Sequence, residues 1–366
     1  MVRYCEALNL LNFSKKMNNI PNKSKSPKES LFIGALQGVI TELPKRSQEI
    51  VWSRFGIGGS QVATLEEIGG KFGITRERVR QVLREVCKKV KSKKESEELS
   101  EIRKKISFTL ESNSGIMKEE KLLELLGNSN EGEKGAARFF IECLDDILAF
   151  EIKGVTEKAY ALPGFSEENW KKVNAEIVEI LRKKNSPEKE QALFEDFSKG
   201  ELAKKIDKKK LFDFLSVSLE VKKNTFGKWG ISEWKEIKPK GTRDKAYLVL
   251  KEKGEPMHFK EIADSIDKSG LNKKKTHPQT VHNELIKDKK FVLVGRGIYA
   301  LSEWGYKKGT VKDVLEDILK KIPQGMKKDE ILEEVLKVRQ VKKSTVIINL
   351  NNHFNKNKEG IYTFKK

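Results

Sequence analysis

The chain has 366 residues, room for two to three domains at about 150 residues each; 37% is apolar and 35% charged, which suits several small modules better than one large core. Lysine and arginine total 74 against 54 aspartate and glutamate, a net charge of +20 that points to a polyanionic partner, either nucleic acid or an anionic membrane. No run approaches the ~20 apolar residues of a membrane span, Glu6 and Lys15-Lys16 break up any signal peptide, and Cys5, Cys87 and Cys143 are odd in number and scattered, arguing against a disulfide framework and for a reducing cytosol.

In chain order, residues 1–28 end in the Lys-, Ser- and Pro-rich stretch Asn22–Lys28 and read as a poorly ordered lead-in. Residues 29–95 carry a compact helical pattern. Thr64 is placed to cap a helix, with Glu67 three residues on to complete a capping box, and Leu65, Ile68 and Phe72 facing inward. Gly73 permits the turn that ends this helix, and Thr75 caps the next. Val79, Val82, Leu83, Val86 and Val90 then form an apolar stripe. Glu77, Arg80, Gln81 and Arg84 fall on the outer face, with Arg76 at the exposed first turn. This is the layout of a DNA-binding helix-turn-helix. The residue types fit the major groove: guanidinium donates to guanine, glutamate accepts from cytosine and glutamine reads adenine. Such residues on an isolated helix are more commonly a solvated face with pairs along it. The preceding helix, the glycine turn and the net charge favour the groove-reading function here. The charge run Lys88–Glu98 reads as a solvated helix end or a hinge.

The rest of the chain repeats itself. Gly227–Trp234 (GKWGISEW) is echoed by Gly297–Trp304 (GIYALSEW), by Gly360–Phe364 (GIYTF) and, more weakly, by Lys158–Leu162 (KAYAL). Each follows an amphipathic segment, a turn, a second helix signal and an apolar strand. This divides the chain into modules at 101–165, 166–238, 239–306 and 307–366, the first two degenerate. In the third, Asp244–Lys253 reads as a helix stopped by Gly254-Glu-Pro256. Phe259, Ile262, Ala263 and Ile266 mark a second helix, and Pro278 starts a third with Val281 and Leu285 inward. Phe291–Val294 and Ile298–Leu301 then form a hairpin. Three helices and a hairpin make a winged helix. The fold class expected is therefore mainly α, a helix-turn-helix followed by tandem winged-helix modules with small β-hairpin wings.

Thr64–Gln81 (TLEEIGGKFGITRERVRQ) resembles region four of bacterial primary sigma factors, and Leu43–Ile57 (LPKRSQEIVWSRFGI) resembles the helix that precedes it, so the likeness extends over about residues 31–92. The resemblance implies binding to the promoter −35 element, with Arg76, Glu77, Arg80 and Gln81 reading bases and Thr75 and Arg78 near phosphates or bracing the helix. It also implies docking on the flap of the RNA polymerase β subunit. No counterpart of the sigma region that melts and binds the −10 element accompanies it, so the expectation is a −35 reader and not a complete sigma factor. Residues 239–306 resemble the HARE-type helix-turn-helix, a winged helix shared with the delta subunit of RNA polymerase and with some restriction and chromatin proteins. The likeness rests on Pro256–Ala263 (PMHFKEIA), Thr276–Val281 (THPQTV), Asp288, Phe291 and Gly295–Leu301 (GRGIYAL). If this module binds DNA, the resemblance puts Gln279, Thr280, His282 and Asn283 at exposed helix positions and Arg296 on the wing; a plain polar hairpin tip explains Arg296 equally well.

Other chemistry finds no support in the sequence. His258, His277, His282 and His353 pair with no cysteine or carboxylate at metal-ligand spacing. There is no Cys-x-x-Cys, P-loop or Gly-x-Ser-x-Gly pattern, and Gly56, Gly58 and Gly59 lack the Lys-Ser/Thr of a phosphate loop. The recurring Trp229, Trp234, Tyr299 and Trp304 suit core or wing packing better than base stacking. The expectation is thus a cytoplasmic, nucleoid-associated protein of transcription with no enzymatic activity, cofactor, metal, membrane or small-molecule substrate. Its partners are double-stranded DNA with a −35-like element, and RNA polymerase. Two alternatives stand beside it: a delta-like polymerase accessory protein that does not read sequence, and a restriction or DNA-modification accessory protein.

Overall fold

The computed structural model describes residues 30–58, 61–93, 96–306, 309–339 and 341–364; the expectations for residues 1–28, Cys5 and Gly59 lie outside them. Sixteen α-helices and four small antiparallel sheets make the described chain mainly α, as its patterning implies. Two compact units form, one from residues up to Glu179 with Phe194–Glu220, the other from Ile180–Leu193 and from Val221 onward.

The first unit opens with α1 (Leu31–Ile40), α2 (Lys45–Phe55), α3 (Leu65–Phe72) and α4 (Arg76–Ser92), and continues through α5 (Glu97–Glu111), α6 (Glu119–Gly127) and α7 (Glu131–Cys143). One apolar core runs through all of these helices, from Phe32 and Leu36 through Ile68, Val79 and Val86 to Ile106, Phe139, Phe140 and Tyr160. The helix-turn-helix and the module after it therefore share their interior. Two features fix that junction. The Glu133 carboxylate on α7, only 3% exposed, accepts the Phe32 and Ile33 backbone N–H groups at 3.0 Å each. Those are free donors of the first turn of α1, which has no side-chain cap of its own. Gly135 meanwhile lets α7 approach the end of α2 so closely that a Cβ there would lie 2.1 Å from the Phe55 carbonyl oxygen.

A disulfide joins Cys87 on α4 to Cys143 at the end of α7, with Cα atoms 4.9 Å apart. This corrects the reading of three unrelated thiols, and removes the support that reading gave to a reducing compartment. The apolar stripe of α4 packs into the same core as α7, so residues 56 apart in sequence become neighbours. By the chain-entropy relation, closing a loop of that length contributes about 4 kcal/mol. Reduction is accordingly expected to lower the urea midpoint of the first unit; equal midpoints with and without dithiothreitol would exclude that contribution.

The repeat is visible in strand topology. The sheets are β1 (Ile116–Lys118), β2 (Leu148–Phe150) and β3 (Ala159–Ala161); β4 (Glu188–Lys189), β5 (Val221–Lys223) and β6 (Lys228–Ile231); β7 (Met257–His258), β8 (Phe291–Gly295) and β9 (Ile298–Leu301); and β10 (Met326–Lys327), β11 (Asn355–Lys356) and β12 (Ile361–Thr363). In every one the last strand lies between the other two. A buried aromatic occupies the same register in each central strand: Tyr160 opposite Met117, Trp229 opposite Glu188, Tyr299 opposite Met257 and Tyr362 opposite Met326. The expected two-stranded wings are thus three-stranded sheets. The added strands β4, β7 and β10 have two residues each, too short for an alternating pattern to register.

The second unit holds α11 (Thr242–Lys253), α12 (Phe259–Lys268) and α13 (Pro278–Lys287) around Leu250, Ile262, Val281, Leu285 and Tyr299, and then a smaller core from α14 (Val311–Lys321), α15 (Lys328–Val338) and α16 (Lys343–His353). α8 (Glu167–Lys184), α9 (Glu190–Phe197) and α10 (Lys208–Ser216) complete the element order; of these, α9 has no counterpart in the sequence reading. Arg339 beside α15 is 5% exposed and donates from Nη1 to the Leu293 carbonyl of β8 at 2.7 Å; burial lowers its pKa, with Asp313 opposing. Among the described residues, no helix is long and apolar enough to cross a membrane, and no group of His, Cys, Asp and Glu is arranged to hold a metal ion.

Candidate nucleic-acid interface

Helix α3 begins at a complete capping box: Thr64 Oγ1 accepts the Glu67 N–H at 3.2 Å and the Glu67 carboxylate accepts the Thr64 N–H at 2.7 Å. That exchange holds the Glu67 carboxyl below the usual carboxylate range. Gly73 ends the helix in the left-handed region at φ +62, and its N–H returns to the Gly69 and Gly70 carbonyls. The chain then turns so sharply that a Cβ on Gly69 would sit 2.7 Å from the Ile74 carbonyl oxygen. Thr75 caps α4 by accepting the Arg78 N–H at 3.2 Å. Val79, Val82, Val86 and Val90 anchor the inner face of α4 in the core.

The outer face carries the candidate reading residues. Thr75, Arg76, Glu77, Arg78, Arg80, Gln81 and Arg84 are all exposed. At 100° per residue, Arg76, Arg80 and Arg84 form one row and Glu77 and Gln81 the row beside it. Arg80 is held by Glu77 through two bonds, Nε to Oε2 at 2.7 Å and Nη2 to Oε1 at 2.6 Å. The pairing holds the Glu77 carboxyl below its ordinary range and raises Arg80. Both stay charged at neutral pH, and the pair weakens only as acid protonates Glu77. Arg78 bonds Gln81 Oε1 at 3.1 Å and lies 3.7 Å from Glu85, which braces the helix surface.

Three positioning residues carry no local sequence signal. Arg46 on α2 donates to the Phe72 carbonyl, its guanidinium 6.0 Å from the Phe72 ring centre, and so ties α2 to the turn. Arg54 donates to the Ala63 carbonyl at 3.1 Å, fixing the approach to Thr64. Glu133 acts from 100 residues downstream through α1.

In the third copy, Gln279, Thr280 and Asn283 are exposed on α13 and Arg296 is exposed at the wing tip. His282 is not the exposed position expected of it. Its ring is half-buried 4.6 Å from Phe259, and Nδ1 pairs with the Tyr299 hydroxyl at 3.1 Å, so it packs the helix against the sheet. Gly297 makes the wing turn at φ +72, where a Cβ would meet His258 Nε2 at 2.6 Å.

Fold and exposed faces together define a protein of linked helix-turn-helix modules. Comparison with known families specifies two of them. Residues 39–92 match the model of Sigma-70, region 4, and residues 242–304 match the model of HARE-HTH, the helix-turn-helix domain of ASXL and restriction endonuclease proteins. The chain therefore joins a sigma region 4 to a HARE-type helix-turn-helix. The RNA polymerase sigma factor SigA of Listeria monocytogenes and that of Listeria innocua are each 35% identical to it over 66 residues, as is the SigA of a Bacillus species. Each match covers 18% of this chain and 18% of the sigma factor.

Proposed function

We propose that this is a non-enzymatic DNA-binding protein of transcription whose helix α4 reads a −35-like promoter element, acting in transcription initiation or its regulation. The observation that carries the reading is the Arg76–Arg80–Arg84 row with Glu77 and Gln81 beside it, exposed on a doubly capped helix-turn-helix within the region 4 match. Arg80 and Glu77 present a planar donor pair and a carboxylate suited to adjacent guanine and cytosine edges. Thr75 and Arg78 set the helix against the backbone. Gln279, Thr280, Asn283 and the Arg296 wing add contacts from the HARE-type module, His282 supporting them from behind. RNA polymerase, through the β flap, is the protein partner by analogy with sigma factors, and the working compartment is the bacterial cytoplasm at the nucleoid.

Replacing Arg80 by alanine is expected to weaken binding to a duplex bearing the preferred hexamer about five- to 150-fold, the range for losing one bidentate base contact, with little change on a scrambled duplex. Fluorescence anisotropy at fixed salt reads both. Equal losses on the two duplexes would make Arg80 a phosphate contact. Sequence-blind binding by the unaltered protein, with polymerase co-purifying, would replace this reading with that of a polymerase accessory protein.

A further inference from the structure

The C-terminal module, which neither family match covers, carries a surface of the same chemical kind. Residues 335–358 contain no aspartate or glutamate but hold Lys337, Arg339, Lys342, Lys343, Lys356 and Lys358. This stretch forms the third helix of the fourth copy, α16, and the strand and turn that follow it. Val346 and Leu350 bury one side of α16 in the module core. On the other side Lys342, Thr345, Ile348, Asn349 and Asn352 fall at helical spacing along one stripe. Ile348 is 57% exposed in the middle of that stripe, a large apolar side chain open to solvent among amides and lysines. The ion pairs of this module, Lys312 and Lys320 with Glu316 and Lys337 with Glu334, lie on α14 and α15. Among the described residues, Lys342, Lys343 and Lys358 have no acidic partner.

The other copies set this apart. In the first, the third helix is α7, which carries Glu131 and Glu133 and is built into the core. In the second, Lys209 is tied to the Ser112 carbonyl, Lys210 lies over Phe214 and Lys223 pairs with Glu190. In the third, Glu284 interrupts α13 and is held by Arg243 at 2.5 Å. Only in the fourth copy are the third helix and the wing strand after it both free of acidic side chains.

We infer that α16 and the β11–β12 turn form a second duplex-DNA contact, with α16 in the major groove and Lys356 and Lys358 on the flanking phosphates. The chemistry points to A·T-rich sequence: Asn349 and Asn352 carry the amide that pairs with adenine, and Ile348 and the Thr345 methyl suit the thymine methyl group. This contact stands independently of the −35 reading, since it uses different residues in the other compact unit.

Two full-length variants test it, Ile348→Glu and the double substitution Lys343→Ala/Lys358→Ala, with thermal unfolding monitored to confirm that these exposed changes leave the fold intact. On 30-base-pair duplexes with and without the preferred hexamer, Ile348→Glu is expected to weaken binding at least tenfold on both. The lysine pair should reduce the slope of log K against log salt by about 1.8, two phosphate contacts at about 0.9 each. Unchanged affinity for Ile348→Glu on both duplexes would overturn the proposal. Arg80→Ala separates the two sites. If the unaltered protein shows no hexamer preference while Ile348→Glu still weakens both complexes, the −35 reading fails and this one stands.

Discussion

Gly135→Ala is expected to destabilise the first unit by about 3 kcal/mol, the upper range for forcing an extra methyl into a closed core. The new Cβ would lie 2.1 Å from the Phe55 carbonyl oxygen and 3.2 Å from Ile57 Cγ1. The nearer atom is backbone, so no rotamer change relieves the clash and α7 has to move off the end of α2. Because α2 carries Arg46, which grips the turn between α3 and α4, the displacement reaches the recognition helix. Gly70→Ala is the matched control: nothing lies within 4 Å of a Cβ there, and alanine in a helix is worth about 0.5–1 kcal/mol over glycine. Urea denaturation of the two variants should therefore shift the midpoint in opposite directions. A Gly135→Ala protein as stable as the parent would show that α7 and α2 do not meet as closely as described.

Glu133→Ala should cost about 2–4 kcal/mol. It leaves the Phe32 and Ile33 N–H groups without their acceptor at the buried start of α1, where each unsatisfied donor costs about 1–3 kcal/mol. Glu133→Gln keeps one carbonyl oxygen as acceptor and is expected to fall between alanine and the parent. The same denaturation series measures all three, and a glutamine variant no better than alanine would assign the loss to packing instead of capping. Both substitutions lie outside the region 4 match, yet they should weaken specific DNA binding, because the recognition helix is held by a core that the downstream module completes.

That dependence marks the boundary of what the sequence discloses. Local signals are plain: Thr64 and Glu67 at capping spacing, Gly73 after the first helix, the valine stripe of α4, and the glycine-aromatic strand repeated around Tyr160, Trp229, Tyr299 and Tyr362. Each is decided within one or two helical turns or one strand, so periodicity exposes it. Outward residues of α4 follow by subtraction from the stripe. What stays hidden depends on partners distant in the chain. Glu133 reads as a surface acid on a polar helix until α1 is laid against it, and Cys87 and Cys143 read as strays until α4 and α7 share a core. His282 shows the converse: helical spacing places it outward, but the Phe259 ring and the Tyr299 hydroxyl close over it. The two-residue strands leave no trace in the pattern because tertiary pairing alone makes them strands.

The central claim, that α4 reads sequence, is tested most directly by selecting bound duplexes from a random library with the full-length protein at near-physiological salt. The account predicts recovery of a −35-like hexamer, with an A·T-rich flank where α16 docks. Enrichment of no motif would contradict it, leaving the +20 charge to supply only non-specific grip on DNA.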